Sequence, residues 1–393
     1  MKRKVTGFLF LAIFFALPVF AGSVEMEPLA VPASASDGLG GTHVAYTDNV
    51  FSLLVNPAAM IRVKQKSFFA ISPMLLNPQS TYKLGKSLGD LAQGNTNTFG
   101  TAADTLSRQK GTIALGMELR EFPLSFAWVA NGFGFGLWNR TFVNANIVDL
   151  GIEAKVYSDV MLPIGFAFKI LNLGGHSLDA GVTLKPFVRT MAWEREDIIN
   201  LLGNNSDFID NFNIPVIAGG SVDAGLLYRW GGFSAGFTFQ DIYSRGEVVY
   251  NINDNYKDTN SYHFPFTMNA GIAYQFTLFN ILGFALAADW RDIRNFFQQD
   301  NYLHRNYLLD FGGGFQLSLF DVIRLRVGMS EMLPACGLGF DLGPLKIDAA
   351  YYGREFGNEP GQLSAAAVSI SIAIRPDAQK RDWPWARHAI IGQ

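Results

Sequence analysis

The stretch FSAGFTFQ, which runs from Phe233 to Gln240, alternates apolar side chains with small or polar ones. Successive side chains of a β-strand point to opposite faces, so this pattern predicts a strand with one apolar face. The other face carries serine, glycine, threonine and glutamine, and no charge. The same alternation recurs from residue 111 to 374, most clearly in 266–278, 282–292 and 368–375. The pattern predicts an all-β protein.

Both a soluble β-sandwich and a membrane β-barrel show such alternation. A sandwich turns its apolar face inward and shows many lysines and glutamates to water. Here the opposite face is mostly glycine, alanine, serine and threonine, and charged residues are only 17% of the chain against 49% hydrophobic residues. A barrel shows only alternate residues to lipid, so it is apolar without a long apolar run. The sequence predicts a transmembrane antiparallel β-barrel of about 14 strands over residues 67–375.

Residues 1–21 have the three parts of a secretory signal peptide. Three basic residues stand in the first four positions, an apolar run follows, and Ala21 provides a small residue for cleavage. A membrane anchor, the other interpretation of this run, needs roughly 20 apolar residues. We therefore expect export and, together with the barrel, a location in the outer membrane.

The overall charge and the reactive residues exclude several classes of function. The chain has 31 basic and 34 acidic residues, which argues against a nucleic-acid partner. The single cysteine, Cys336, excludes an intramolecular disulfide and a cysteine-based metal cluster, and the five histidines lack metal-ligand spacing. The segment Gly232–Gly236 matches the nucleophile pattern Gly-x-Ser-x-Gly, but its serine lies inside an alternating strand. We expect no enzyme, no metal and no cofactor.

Short turns alternate with longer polar loops along the chain. Asn131–Gly132 is a type I′ hairpin signal. Equally short turns are predicted at 172–176, 230–232, 279–280, 320–321 and 343–344, and longer loops at 190–215, 244–264, 292–306 and 353–362. Short turns of outer-membrane barrels face the periplasm, so the long loops are expected on the outside of the cell.

The segment from Arg120 to Pro123 has two interpretations. Apolar residues before it share one parity, whereas Leu124, Phe126 and Trp128 occupy the other. Either a hairpin lies here, or one long strand carries a bulge that reverses its faces. The long strand puts both chain ends on the periplasmic side if the first strand is 67–75, and we prefer it.

Residues 22–66 do not follow the strand pattern. Within them, GLGGTHVAYTDNVFSLLVNPAAM (Gly38–Met60) resembles the N-terminal hatch of the long-chain fatty-acid transporter (FadL-type) family. The matching positions are Gly40, Gly41, Ala45, Asp48, Asn56, Pro57 and Ala58. The resemblance implies a fourteen-stranded barrel with this segment folded in its lumen as a plug. It also implies passive uptake of fatty acids or other apolar compounds, which leave sideways beside a kinked strand. Related barrels of protein-secretion machines share the signature, so the substrate does not follow from it.

Local chemistry agrees with a hatch. Gly40 and Gly41 allow a positive φ and a close approach to the wall. Asn56 precedes Pro57 and is therefore pushed towards an extended conformation that ends a helix. The apolar cluster 50–55 is unlike a solvated periplasmic linker, the alternative interpretation.

Three cations on the lumen face are candidate ligand-binding residues. Arg324 and Arg326 lie on one face of a predicted strand, and Lys346 lies on the polar face of a nearby one. A cation in the lumen can hold a fatty carboxylate through charge-assisted hydrogen bonds. For each residue the alternative is an ion pair between wall and plug.

These features predict an outer-membrane channel for passive uptake of hydrophobic small molecules such as long-chain fatty acids. Its partners are then membrane lipid and a fatty-acid-like ligand. The polar segment 376–393, which contains two tryptophans, follows the last strand as a periplasmic tail that can bind a periplasmic partner. The alternative function is a structural or partner-binding barrel, secretion-associated or adhesin-like. A channel needs an apolar pocket between plug and wall, whereas a binding barrel needs an exposed apolar patch.

Overall fold

The computed structural model describes residues 23–29, 34–47, 49–63, 67–83, 86, 112–121, 125–148, 151–197, 214–252, 260–279, 281–297 and 305–376. The predicted signal peptide, Asp48 of the hatch motif and the tail beyond Pro376 lie outside the described residues.

A ring of 14 antiparallel strands forms one sheet, in which each strand pairs with its neighbours in sequence and the last pairs with the first. The strands are β1 (Ser67–Leu76), β2 (Thr112–Arg120 and Phe126–Ala130), β3 (Phe133–Val148), β4 (Gly151–Met161 and Ile164–Leu173), β5 (His176–Asp197), β6 (Pro215–Trp230), β7 (Phe233–Asn251), β8 (Thr267–Leu278), β9 (Leu282–Trp290), β10 (Phe311–Leu319), β11 (Ile323–Ser330), β12 (Leu333–Asp341), β13 (Leu345–Glu355) and β14 (Ser364–Ile374). Closure leaves no ring strand with a free edge. The predicted barrel and its strand number are confirmed.

The outward face of the ring is apolar. Trp128 and Ile372 are 37% and 43% exposed, although both are large apolar residues. Phe284 is partly exposed as well, whereas its neighbour Ala285 on the opposite face is 4% exposed. A band of large apolar side chains around a closed barrel is what insertion into a lipid bilayer requires.

The segment around Arg120 forms one long strand with an interruption, as preferred from the sequence. Between the pairs Ser72–Arg120 and Phe69–Phe126, β1 has two residues and β2 has five. The excess is odd, so the two halves of β2 present opposite parities to the lumen. We call the break in β2 between Arg120 and Phe126, of which the structure describes Glu121 and Ser125, the wall interruption.

Two predicted loops begin later than expected. β5 continues to Asp197 and β7 to Asn251, whereas the sequence placed loops from 190 and 244. The β5 extension pairs with β4 and the β7 extension with β6. Backbone pairing does not depend on the polar side chains that suggested loops.

The sequence did not predict a short turn at Glu331–Met332, between β11 and β12. Its residues have positive φ without being glycine, so it lacks the usual sequence signal.

Residues before β1 form short helical pieces. They are α1 (Ser34–Gly38), α2 (Ser52–Val55) and a 3₁₀-helix (Pro57–Arg62). A three-residue strand, Ser23–Glu25, pairs in parallel with Ser261–His263 from the loop after β7. The loop between β9 and β10 contains α3 (Ile293–Phe297) and a 3₁₀-helix (Tyr307–Asp310). None of the helices in the described ranges has the length and apolar character needed to cross a membrane.

Candidate functional site

Residues 34–47 and 49–63, which we call the hatch segment, lie against the inner faces of ring strands. Glycines in the wall make this approach possible. A Cβ atom at Gly181 of β5 would lie 2.6 Å from the backbone nitrogen of Ala58, and one at Gly236 of β7 would lie 2.5 Å from the Val44 carbonyl oxygen. Real Cβ atoms do not come so close, so the backbone of the hatch segment occupies space that wall side chains would need.

The glycine pair of the hatch motif also lies close to the wall. Gly40 and Gly41 have φ values of +72° and +74°, as the sequence predicted. A Cβ atom on Gly40 would collide with the backbone of Gly313 and Met329 in β10 and β11. Both the conformation and the lack of space therefore require glycine at position 40.

Asn56 connects the hatch segment to itself and to the wall. Its backbone is extended and precedes the 3₁₀-helix that starts at Pro57, as predicted. The side-chain amide donates to the carbonyl oxygens of Val44 at 2.8 Å and Leu226 of β6 at 3.3 Å. Its oxygen accepts from the Ala58 N–H at 3.2 Å. One side chain therefore fixes two turns of the hatch segment against β6.

Carboxylates that sequence reasoning missed anchor the same segment. Asp289 of β9 accepts from the backbone N–H groups of His43 at 2.6 Å and Val44 at 2.9 Å. Arg62 donates to Asp179 of β5 at 2.7 Å. The sequence separations, 246 and 117 residues, leave no local signal by which either contact could be found.

Two apolar clusters lie on the inner side of the ring. The first, which we call the hatch cluster, joins the N-terminal segments to the wall. It contains Met26, Leu29, Val50, Leu53, Leu54, Met60, Ala127, Val129, Trp138, Met161, Phe187, Ile217, Tyr262, Phe264 and Ala373. The second, the loop-end cluster, lies near the long loops. It contains Met74, Leu76, Ala114, Phe142, Tyr157, Ala335, Ala350, Tyr352, Ala365 and Ala367.

Charged groups separate the two clusters on β2 and β3. Glu118 contacts both Arg120, at 3.0 Å, and Arg140. The Arg140 guanidinium carbon lies 5.5 Å from the ring centroid of Tyr157, in the loop-end cluster. The Arg189 guanidinium carbon lies 5.2 Å from the same ring centroid and 4.9 Å from the ring centroid of Phe264, in the hatch cluster. Cation–π contacts therefore link the clusters along the wall.

The wall interruption faces β1 between residues that belong to different clusters. Met74 of the loop-end cluster and Ala70, which packs on the hatch cluster, stand on either side of it in β1. Here the strands are joined partly by side chains, since Ser125 Oγ accepts from the Asn139 N–H at 3.1 Å.

The three predicted ligand-binding cations lie together on β11 and β13, and each contacts a carboxylate. Arg324 donates to Asp341 at 2.9 Å. Arg326 donates to Asp348 at 2.7 Å, and Lys346 lies 3.1 Å from the same carboxylate. Contact with a ligand stays a prediction for all three.

A groove of about 530 Å³ runs across the outward face of β5 to β10, with Phe237, Ile272 and Trp290 among its lining residues. It faces away from the lumen, so it is not the pocket between plug and wall that a channel needs. In the described part of the chain, no three histidine, cysteine or acidic side chains converge as they would around a metal ion.

No family model and no curated protein sequence matches the chain. Among solved structures, it is similar to the toluene transporter TodX of Pseudomonas putida, with 11% identity, a TM-score of 0.47, and coverage of 86% of this chain and 97% of that chain. The monoaromatic hydrocarbon channel CymD has 10% identity and a TM-score of 0.47, with coverage of 88% and 98%. A FadL homologue of Pseudomonas aeruginosa has 11% identity and a TM-score of 0.45, with coverage of 90% and 100%.

These structures are FadL-family transporters, the family that Gly38–Met60 resembles.

Proposed function

We propose that the protein is an outer-membrane channel, not an enzyme, for passive uptake of hydrophobic small molecules. The observation that carries the proposal is the buried apolar surface between the hatch segment and the inner wall. Met60 and Leu53 of the hatch segment pack with wall residues such as Trp138 and Phe187 in one cluster. Apolar surface inside a membrane barrel has no lipid to face, so it suits an apolar solute.

We propose residues 22–66 as the hatch and 376–393 as a periplasmic tail, after removal of 1–21. Contacts of the hatch segment with β5, β6, β7 and β9 support a plug, because they approach it from several sides of the ring. A plugged barrel of this width closes the lumen to bulk water. A solute then moves from the loop-end cluster past the charged groups towards the wall interruption, and leaves sideways into the membrane.

Long-chain fatty acids are the substrate class proposed from the hatch motif. Arg324, Arg326 and Lys346 then hold the carboxylate near the short-turn end. A fatty carboxylate must compete there with Asp341 and Asp348, which already accept hydrogen bonds from these cations. Because a charge-assisted hydrogen bond to a carboxylate is stronger than one to a neutral hydroxyl, Arg324→Ala should weaken a fatty acid more than the neutral alcohol of equal chain length.

The test is a displacement titration of a fluorescent acyl probe from the purified protein, with competitors of graded chain length. Each buried CH₂ contributes about 0.8 kcal/mol, so longer chains should bind more tightly. Met60→Gln should weaken long chains most, since Met60 is fully buried in the hatch cluster. Met329→Gln is the matched control, because Met329 is 45% exposed on the outward face. Affinities that ignore chain length would contradict the proposal.

A partner-binding barrel is the second candidate, and exposed apolar turns favour it. Phe279 is 85% exposed and Leu173 is 72% exposed at the short-turn end, where the chain continues into the tail. Exposed patches of this kind mark interaction surfaces. Replacing Phe279 and Leu173 by serine should leave solute binding intact if the channel proposal is right.

A further inference from the structure

The groove of about 530 Å³ on the outward face is long enough for one lipid chain. It runs from Leu178 of β5 to Phe311 of β10, across six neighbouring strands of the ring. Neighbouring strands lie about 4.8 Å apart, so the distance across them is about 24 Å. One acyl chain of a bilayer spans about half of a hydrocarbon core that is roughly 30 Å thick. A whole chain therefore fits into the groove, lying across the strands.

Small side chains on three successive strands make the depression. Ala235 of β7, Ala270 of β8 and Ala288 of β9 all line the groove. Larger side chains stand opposite them in the pairing, since Ile272 pairs with both Ala235 and Ala288, and Phe237 pairs with Ala270. A chain lying in this depression contacts apolar atoms on its sides as well as beneath it. It therefore gains more dispersion contacts than a chain on a flat apolar surface.

A polar pair stands at the short-turn end of the groove. Tyr228 of β6 lines the groove, and its hydroxyl lies 2.6 Å from His176 Nδ1. His176 is the first residue of β5, is only partly buried, and stacks on Trp230 with ring centroids 5.4 Å apart. When the Tyr228 hydroxyl donates to Nδ1, the imidazole carries a proton on Nε2. The groove then has a hydrogen-bond donor at this end.

The rest of the groove has no polar side chain that faces outward. Asp289 of β9 also borders it, but its carboxylate accepts from the hatch segment on the inner side of the wall. Trp290 stacks on Phe311 at 4.9 Å, at the long-loop end of β9, and its indole nitrogen is buried. The groove therefore suits a molecule with a long apolar chain and a polar group at one end only.

We propose that this groove binds one phospholipid of the leaflet at the short-turn end, with one acyl chain in the groove and the phosphate at His176. The phosphate accepts a hydrogen bond from His176 Nε2, and this bond is charge-assisted because the phosphate is ionised. Bilayer lipid is the occupant because the outward face of an inserted barrel contacts lipid. The inference rests on the proposed outer-membrane location. It goes beyond uptake, since the site lies on the opposite side of the wall from the lumen.

The experiment is native mass spectrometry of the purified full-length protein in detergent, with added dioleoylphosphatidylglycerol or dioleoylglycerol. The two lipids share both chains, and only the first has a phosphate. The wild-type protein should hold one phospholipid at least about tenfold more tightly than the diacylglycerol, the range of one hydrogen bond to a charged group. His176→Phe keeps an aromatic ring beside Trp230 and removes the donor. Its preference for the phospholipid should therefore fall below about twofold.

Ala288→Phe tests the groove itself. The larger side chain fills the depression and should weaken binding of both lipids at least about tenfold. Ala349→Phe is the matched control, because Ala349 lies on the outward face of β13, outside the groove, and should leave lipid binding unchanged. Equal lipid binding by these two variants would overturn the inference, and so would a preference for phosphate that persists in His176→Phe.

Two further measurements separate this site from the proposed channel. Oleic acid at the same concentration should leave most of the phospholipid bound, whereas complete displacement would assign the groove to the solute and overturn the inference. The acyl probe should be displaced from all three variants as from the wild-type protein, because the substitutions lie outside the lumen. Loss of lipid binding with unchanged probe binding therefore concerns the groove alone. A wild-type protein that binds phospholipid but no acyl probe would remove the channel proposal and leave the lipid site.

Discussion

Arg120 of β2 donates a hydrogen bond from Nη1 to Asp37 Oδ2 of α1 at 2.7 Å, and both side chains are almost completely buried. Asp37 also accepts from Ser369 of β14 at 3.1 Å, and Arg120 donates to the Tyr352 hydroxyl of β13 at 3.0 Å. One carboxylate of the hatch segment therefore contacts two wall strands, β2 and β14, across the point where the ring closes, and Arg120 extends the connection to β13.

Asp37→Ala should loosen the hatch segment and leave the ring intact. Removing one partner of a buried ion pair costs roughly 3–5 kcal/mol, because the remaining charge is left uncompensated. Conductance to small hydrophilic ions in planar bilayers should rise as the hatch segment moves. Arg245→Ala, which breaks an exposed pair with Glu247 on β7, is the control and should not change conductance. Equal conductance in wild type and Asp37→Ala would argue against a plug.

Gly181→Ala should displace the hatch segment, because the new Cβ would meet the backbone of Pro57 and Ala58. Overpacking of this kind costs roughly 1–3 kcal/mol. Gly220→Ala on β6 adds the same methyl group where no atom lies within 4 Å, so it is the matched control. Limited proteolysis of folded protein should cleave within 34–63 faster in Gly181→Ala only. Equal cleavage rates would show that the contact does not hold the segment.

Phe284→Arg should destabilise the membrane-inserted barrel by about 2–4 kcal/mol, since Phe284 lies on the outward face of β9. Ala285→Ser, on the inward face, should cost little. Unfolding in urea from lipid vesicles gives both free energies. A small effect of Phe284→Arg would mean that this face does not contact lipid.

The loop between β9 and β10 should be more ordered in mild acid than at neutral pH. Burial raises the pKa of Asp292 from 3.8 to about 6, and the neighbouring Asp310, whose own pKa is raised by burial, adds to the shift. A carboxyl with a raised pKa in the folded state contributes stability at low pH that is lost as pH rises through about 6. Hydrogen exchange in 291–310, corrected for intrinsic rates, should therefore be slower at low pH. Asp292→Asn should reduce the difference, since Asp310 still titrates, and an identical pH response in that variant would exclude Asp292 as its origin.

The parts of the fold that were predictable depend on local patterns. Alternation of side chains identified the outward face at Phe284, and the odd change of parity after Arg120 identified the wall interruption. The positive φ of Gly40 followed from its motif. The pairing of Asp37 with Arg120 could not be predicted, because closure of the ring brings together residues that share no local pattern. The turn at Glu331–Met332 escaped because neither residue is a usual turn former.

The short parallel pairing of Ser23–Glu25 with Ser261–His263 has a consequence for assembly. Residue 261 follows the long-loop end of β7, whereas Val63 leads into β1 at the short-turn end. With the hatch role proposed above, the N-terminal chain passes through the ring from one end to the other. The hatch backbone lies directly against the wall glycines, where side chains would otherwise be. A closed ring therefore leaves no room for this chain to be inserted afterwards. We therefore expect the seam between β14 and β1, whose strands are distant in the sequence, to close around a chain that is already inside.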